Sequence, residues 1–380
     1  MSHSLSSTFS RERVSSEMII LARDSRGLTQ AELAAATNIS QANISKYESG
    51  SLNVSKEHVK RIADALDYPL SMFYFGEKRY GFGSSCTYHR KRATMPVREL
   101  RVLLARVNLL RIQAVRLLTG ADIESDNEFQ RLDIDDFDGD CEHIAALVRR
   151  AWKLPPGPIE NLVETIEDAG GIVFASSFGT RKLDAISQWV GGVPPIFLLN
   201  SDMPGDRLRY TLAHEVGHLI MHRVPTENME EEADRFAAEF LMPAADIEPD
   251  LHSLALSRLA QLKAYWKVSM AALIVRAKDL SKITERQYRA LFEQMGRMGY
   301  KTVEPTPIPM EQPTLAKELV EFYLNAHGYS VEEISQFVGV PVHDLIVQYG
   351  LAPRMYVIRK PGERHDNERA FGEQPHGKVT

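Results

Sequence analysis

The sequence predicts a multidomain, mainly α protein with a small β-sheet, arranged as an all-α front, an α+β middle and a helical C-terminal module. Three observations carry that reading. The first 75 residues break into short apolar-periodic stretches separated by glycine, serine and asparagine, the punctuation of short helices. Three short β-branched and aromatic runs between residues 171 and 199 precede a longer apolar helix around Thr211 to Ile220. Pro305, Pro307, Pro309 and Pro313 then separate this middle from further helical periodicity. At 380 residues the chain also exceeds one ordinary core, so two or three domains are expected.

Composition narrows the class. The chain is 44% hydrophobic and 25% charged, the balance of a soluble globular protein. No apolar run reaches the roughly 18 residues of a spanning helix, and the N-terminus lacks a signal peptide's apolar centre. Cys86 and Cys141 are the only cysteines, which excludes a disulfide framework and suits a reducing cytoplasm. The net charge of −6 hides an asymmetry: residues 1–120 carry 18 Lys+Arg against 10 Asp+Glu, and the remainder 27 against 41. A polyanionic partner is therefore expected at the basic front.

Met18 to Arg23 reads as a first helix, with Gly27-Leu28-Thr29 ending it and capping the next. Gln30 to Ala36 is a short helix with Leu33 and Ala34 inward. Asn38-Ile39-Ser40 turns the chain, and Ser40 caps a third helix, Gln41 to Glu48, that buries Ile44 and Tyr47. Lys56 to Leu66 and a short stretch from Leu70 to Phe75 complete the set. Five short helices so punctuated resemble the lambda-repressor (XRE-type) helix-turn-helix family, here over residues 14–76. The resemblance implies DNA binding, with the third helix in the major groove. Gln41 and Asn43 would read base edges with their amides, Ser45 and Lys46 would meet phosphate, and Gln30 would hold a phosphate from the second helix.

Residues 88–120 form a basic segment and a predicted helix from Val97 to Leu118. Arg90 to Arg116 holds eight basic residues and one acid, Glu99. Leu100, Leu103, Leu104, Val107, Leu110, Ala114 and Leu117 recur at three and four, an apolar stripe that must be buried. A packed linker helix is expected, with extension of the DNA contact as the alternative.

Asp122 to Asp140 is acidic and reads as connecting chain. Cys141 to Trp152 and Ile159 to Ala169 read as helices around the break at Leu154 to Pro158. Residues 171–175, 185–190 and 195–199 read as strands. The stretch Thr211-Leu212-Ala213-His214-Glu215-Val216-Gly217-His218-Leu219-Ile220 then carries H-E-x-x-H. Four residues apart on a helix, His214 and His218 share a face and can meet one Zn²⁺, with Glu215 beside them to activate water. The competing reading is a core helix with two histidines hydrogen-bonded elsewhere. His222 lies about 12 Å from His214 along a straight helix, too far to share an ion, and reads as a helix-end or supporting histidine. Met221 occupies the glycine position that a third downstream histidine would require. A second helix, Glu230 to Leu241, is stopped by Pro243 and buries Ala233, Phe236, Ala237 and Phe240. Glu232, one residue before that stripe, would complete a His₂Glu site. The run Glu230-Glu231-Glu232 leaves Glu231 open as the alternative.

His-Glu-Val-Gly-His followed by Glu-Ala-Asp-Arg-Phe-Ala-Ala-Glu-Phe-Leu-Met-Pro resembles the ImmA/IrrE family of zinc peptidases. The likeness extends upstream through residues 195–200 and 207–212 and downstream to Val268 to Leu273. It implies an α+β zincin-like domain over residues 141–300, zinc on His214, His218 and Glu232, and Glu215 as general base. Tyr210, His222, Arg207 and Arg209 lie close in the chain as candidates to complete an oxyanion site. An extended peptide added to the sheet edge is the expected mode of substrate binding.

Beyond the proline-rich linker, residues 314–358 form a helical module without a basic face, and residues 360–380 read as a disordered tail. The function implied is a cytoplasmic DNA-binding transcriptional regulator carrying a zinc endopeptidase. Such a protein would cut a repressor or other regulatory protein in a stress or mobile-element response. Expected partners are a double-stranded DNA operator and that protein substrate, with a homodimer left open and no membrane partner. The alternatives are a repressor whose peptidase-like domain senses a ligand, or an antitoxin-like partner of a neighbouring gene product.

Overall fold

A computed structural model of the chain describes residues 13–81, 95–121 and 127–351. Tyr88 to Arg92, Cys86, the first residues of the acidic stretch and everything from Ala352 onward lie outside the described residues. Among the described residues the molecule is mostly helical with one three-stranded sheet, an all-α region first and the sheet-containing region after it.

In the front domain, α1 (Ser16–Ser25), α2 (Gln30–Thr37), α3 (Gln41–Glu48) and α4 (Lys56–Leu66) precede a 3₁₀ turn at Leu70–Tyr74. Thr29 and Glu32 form a reciprocal capping box that starts α2, and Ser40 accepts from the Asn43 backbone N–H to start α3. Met18, Ile19, Leu21, Leu33, Ile44, Ile62 and Phe73 make its core.

Helix α5 (Val97–Thr119) is buried on two faces. Ala105, Leu109 and Ile112 join the front core. Leu100, Leu103, Val107, Leu110, Ala114 and Leu117 join a second core instead, shared with the sheet and the C-terminal helices. The apolar stripe therefore has a fixed partner inside the chain, and a second stripe about a third of a turn away serves the front domain.

The sheet has the order β1-β3-β2, with β1 (Ile172–Ser176) parallel to β3 (Ile196–Asn200) and β2 (Ala185–Gln188) antiparallel to it. Alternation along each strand divides its two faces. Ile172, Phe174, Ile186, Ile196 and Leu198 face the α5 core, while Val173, Ala185, Phe197 and Leu199 face the main core beneath.

That main core is built from α6 (Cys141–Ala151), α7 (Leu162–Asp168), α8 (Gly205–Met221), α9 (Met229–Leu241), α10 (Leu256–Trp266), α11 (Met270–Asp279) and α12 (Glu285–Arg297). Helices α8 and α9 approach closely because Gly217 has no side chain: a Cβ there would lie 2.9 Å from the Phe236 ring.

The proline-rich segment is a strap rather than a free linker. Glu304 accepts from Met270 N (2.8 Å), Ala271 N (3.2 Å) and Lys263 Nζ (2.8 Å), closing the start of α11. Glu311 accepts from Leu162 N (2.9 Å) and Val163 N (3.0 Å) and pairs with buried Arg209, closing the start of α7. Both helices need acceptors for their first N–H groups, and the strap supplies carboxylates. The strap also crosses Gly205, where a Cβ would collide with the Ile308 and Pro309 carbonyl oxygens at 2.5 Å.

The C-terminal helices α13 (Leu315–Asn325), α14 (Val331–Val338) and α15 (Val342–Gln348) bind both halves. Tyr323 donates to the Leu117 carbonyl (2.7 Å), Arg116 to the Phe337 carbonyl (2.6 Å), and Ser71 of the front domain to the Gln336 carbonyl (2.7 Å).

Candidate metal centre and DNA-facing helix

Helix α8 carries His214 and His218 one turn apart on the face toward α9. Their Nε2 atoms approach to 2.9 Å. Glu230, in the first turn of α9, places Oε1 3.4 Å from His218 Nε2. Ligand atoms of these three residues all lie within 4.8 Å of one another, a group able to hold a metal ion.

The far sides of both rings explain their orientation. His214 Nδ1 lies 2.8 Å from Asp234 Oδ1, so its N–H points to a carboxylate and its Nε2 lone pair to the shared point. His218 Nδ1 lies 3.0 Å from His222 Nδ1, and His222 Nε2 lies 2.9 Å from Glu232 Oε2. A neutral His222 that accepts from His218 and donates to Glu232 leaves His218 Nε2 as a lone pair as well. Burial, then the neighbouring His218 and His214, pushes His222 down to about 3, which keeps it neutral. At His214, burial pulls downward, but the hydrogen bond and charge of Asp234 outweigh it and the net direction is up.

A tetrahedral ion with bonds of about 2.0–2.1 Å needs donor atoms about 3.3 Å apart. Separations of 2.9 and 3.4 Å bracket that value, and two imidazoles with a carboxylate are a zinc-type donor set. The residues present fit the ion.

Glu232 is not the carboxylate beside the imidazole pair, and neither is Glu231. Helical angle decides this. Glu230 stands three residues before buried Ala233 and seven before buried Ala237, so it shares their face toward α8. Glu232 is turned about 200° from Glu230 and reaches His222 beyond the end of α8. Glu231 lines the open cleft with Asp234 and is not one of the three residues whose ligand atoms converge. Sequence reasoning also missed Asp234, which lies one turn after Glu230, a spacing that pairs the two on one side of α9. It missed Ser187 too. That hydroxyl shares the inward face of β2 with Ala185 and donates to Glu215 Oε2 at 2.5 Å.

Glu215 and His218 are completely buried, and His214 is 9% exposed. An open cleft of about 1140 Å³ borders the centre at Tyr210, Thr211 and Asp234 and extends to the strap at Pro307 and Ile308. Among the oxyanion candidates, Arg209 is buried against Glu311 and His222 lies behind His218. Arg207 pairs with Asp184 at 2.8 Å, and Tyr210 donates to the Asp234 carbonyl at 3.1 Å while lining the cleft.

At the front, α3 presents Gln41, Ser45 and Lys46 outward, with Asn43 half-buried and Ile44 and Tyr47 anchoring the helix inside. Gln30 is partly committed elsewhere: its Nε2 donates to Glu48 Oε2 at 2.8 Å, and Glu48 also takes Arg23. Gln30 therefore ties α2 to the end of α3.

Residues 166–278 match the family described as IrrE N-terminal-like domain, the M78 peptidases, and residues 19–73 match the helix-turn-helix family. The chain joins an XRE-type helix-turn-helix domain to an IrrE-like peptidase-family domain. The first match contains β1 to β3, α8 and α9, and the second contains α2 and α3 whole. No curated protein matches the chain. Among the described residues, no helix is long and apolar enough to cross a membrane.

Proposed function

We propose that this protein is a cytoplasmic transcriptional regulator that binds an operator through α3 and cleaves a regulatory protein, such as a repressor, at a zinc centre on α8 and α9. The observation that supports it most is the convergence of His214 Nε2, His218 Nε2 and Glu230 Oε1 beside buried Glu215, in a chain that also carries an outward-facing recognition-type helix.

His214, His218 and Glu230 would hold the ion. When bound, zinc supplies Lewis acidity for attack by water on a peptide carbonyl. Glu215 takes the proton of the attacking water and returns it to the leaving amine. Ser187 fixes the Glu215 carboxylate for that transfer by donating to Oε2. Asp234 and His222 hold the two imidazoles in register from behind. Gln41 and Asn43 read base edges, Ser45 and Lys46 meet phosphate, and Gln30 steadies α3 through Glu48.

The near-complete burial of the centre favours one second reading, a domain that senses through its metal site and cuts slowly or not at all. Zinc-loaded protein incubated with candidate repressors, wild type beside Glu215→Gln, separates the two. Cleavage that disappears with Glu215→Gln supports the peptidase; equal, background cleavage by both supports the sensor.

A further inference from the structure

A second cavity, of about 450 Å³, lies where four parts of the molecule meet. Arg26 and Tyr68 of the front domain, Arg106 and Gln113 of α5, Phe174 and Leu198 of the sheet, and Asp344 of α15 all border it. It is remote from the metal centre, because it opens on the sheet face that packs against α5. Its floor is apolar: Leu110, Phe174 and Leu198 are each under one-tenth exposed.

The polar groups around that floor are unevenly committed. Asp344 is engaged by Arg26 (3.3 Å) and His343 (3.0 Å), and Arg26 also donates to the Leu66 and Asp67 carbonyls. Gln113 is 4% exposed, and its Oε1 accepts from both Gln348 Nε2 (2.7 Å) and Tyr349 Oη (3.0 Å). Those two bonds turn the Gln113 Nε2 donors the other way, and among the described residues they meet no acceptor. Arg106 has no ion pair or hydrogen bond among the described residues. The site thus offers a buried amide donor and an uncommitted cation beside an apolar floor, while its one carboxylate is already satisfied. A ligand that answers all three features carries acceptor oxygens, a negative charge and an apolar body.

We propose that this junction cavity binds a small organic carboxylate, its oxygens on Gln113 Nε2 and Arg106 and its apolar body on Leu110, Phe174 and Leu198. Since the walls come from the DNA-binding domain, the sheet and the C-terminal helices together, an occupant favours one arrangement of those parts over others. The regulatory consequence rests on the operator reading above; the binding itself does not.

The test is calorimetric titration of the full chain, without DNA, by straight-chain carboxylates from acetate to octanoate and by the matching primary alcohols. Affinity should rise about fourfold per added methylene until the cavity is full. Alcohols should bind at least tenfold more weakly than carboxylates of equal length. Arg106→Ala, at an exposed position that does not threaten folding, should remove that preference and leave alcohol binding unchanged. Ser176→Trp, which fills the cavity from β1, should abolish binding of both series. No saturable binding at any chain length overturns the proposal, as does a carboxylate affinity indifferent to Arg106→Ala or to Ser176→Trp. Operator binding, measured separately, stands or falls without touching these outcomes.

Discussion

Helices α2 and α3 and helices α8 and α9 are the two helix pairs that carry the candidate functional side chains, yet they dispose them in opposite ways. In the front pair the anchoring residues, Ile44 and Tyr47, face inward, Gln41, Ser45 and Lys46 face water and Asn43 is half-buried. In the second pair the candidate residues are themselves the interior: His218 and Glu215 are completely buried. A reader of DNA can be placed by one helix, because its partner comes from outside. A metal centre needs donors from two helices and supports from a third element, because each buried polar group must be satisfied within the fold.

The largest effects should therefore appear at the buried pair. Glu215→Gln is expected to keep metal and lower cleavage by about 10²–10⁴-fold, the usual weight of a general base. His214→Ala, His218→Ala and Glu230→Ala should each lose metal at an equimolar load while retaining helical circular dichroism. Glu231→Ala should bind metal like the wild type. Glu232→Ala acts only through His222 and should weaken metal binding by about 10–100-fold, the cost of losing an outer hydrogen-bond partner. Stoichiometric metal in Glu230→Ala, with loss in Glu232→Ala, would restore the ligand set expected from sequence.

That contrast also explains what was legible. The convergence of the histidine pair is legible because two residues four apart on one helix share a face. The small sheet, its strand positions and the α3 boundaries were readable from local apolar pattern and caps. The carboxylate that stands beside the pair is Glu230 rather than Glu232 because helical angle, not adjacency to the buried stripe, sets the face: three residues before Ala233 is on it, one before is not. Asp234 and Ser187 were missed for another reason. Their partners lie 20 and 28 residues away, and no local pattern announces them. The prolines of the strap resembled a linker because Glu304 and Glu311 act on helix termini that are distant in sequence.

At the exposed pair the effects should be moderate and independent of metal. Gln41→Ala or Asn43→Ala is expected to cost about 1–3 kcal/mol of operator binding and relax specificity, read by gel shift against altered operators. Lys46→Ala should weaken all sequences alike and reduce the salt slope by about one. Gln30→Ala tests the finer point, since its amide holds Glu48. If its loss mimics Lys46→Ala with no change in thermal midpoint, it touches phosphate rather than steadying α3.

A last effect, on stability alone, belongs to the seam where α7 meets the start of α13. Glu167, in the last turn of α7, accepts from Thr314 N (3.1 Å) at the start of α13, and its other oxygen is buried without a partner among the described residues. Burial, opposed by the backbone hydrogen bonds, pushes this carboxyl from its ordinary 4.5 up to about 7. The folded chain then holds a proton there that the unfolded chain has released between about pH 4.5 and 7. Stability from this site falls as pH rises through that window and levels off above it. Glu167→Gln keeps the acceptor and cannot ionise, so its thermal midpoint should gain on the wild type from pH 4.5 to 7 and hold that gain at pH 8. Parallel profiles for the two proteins would show that the seam does not sense this proton.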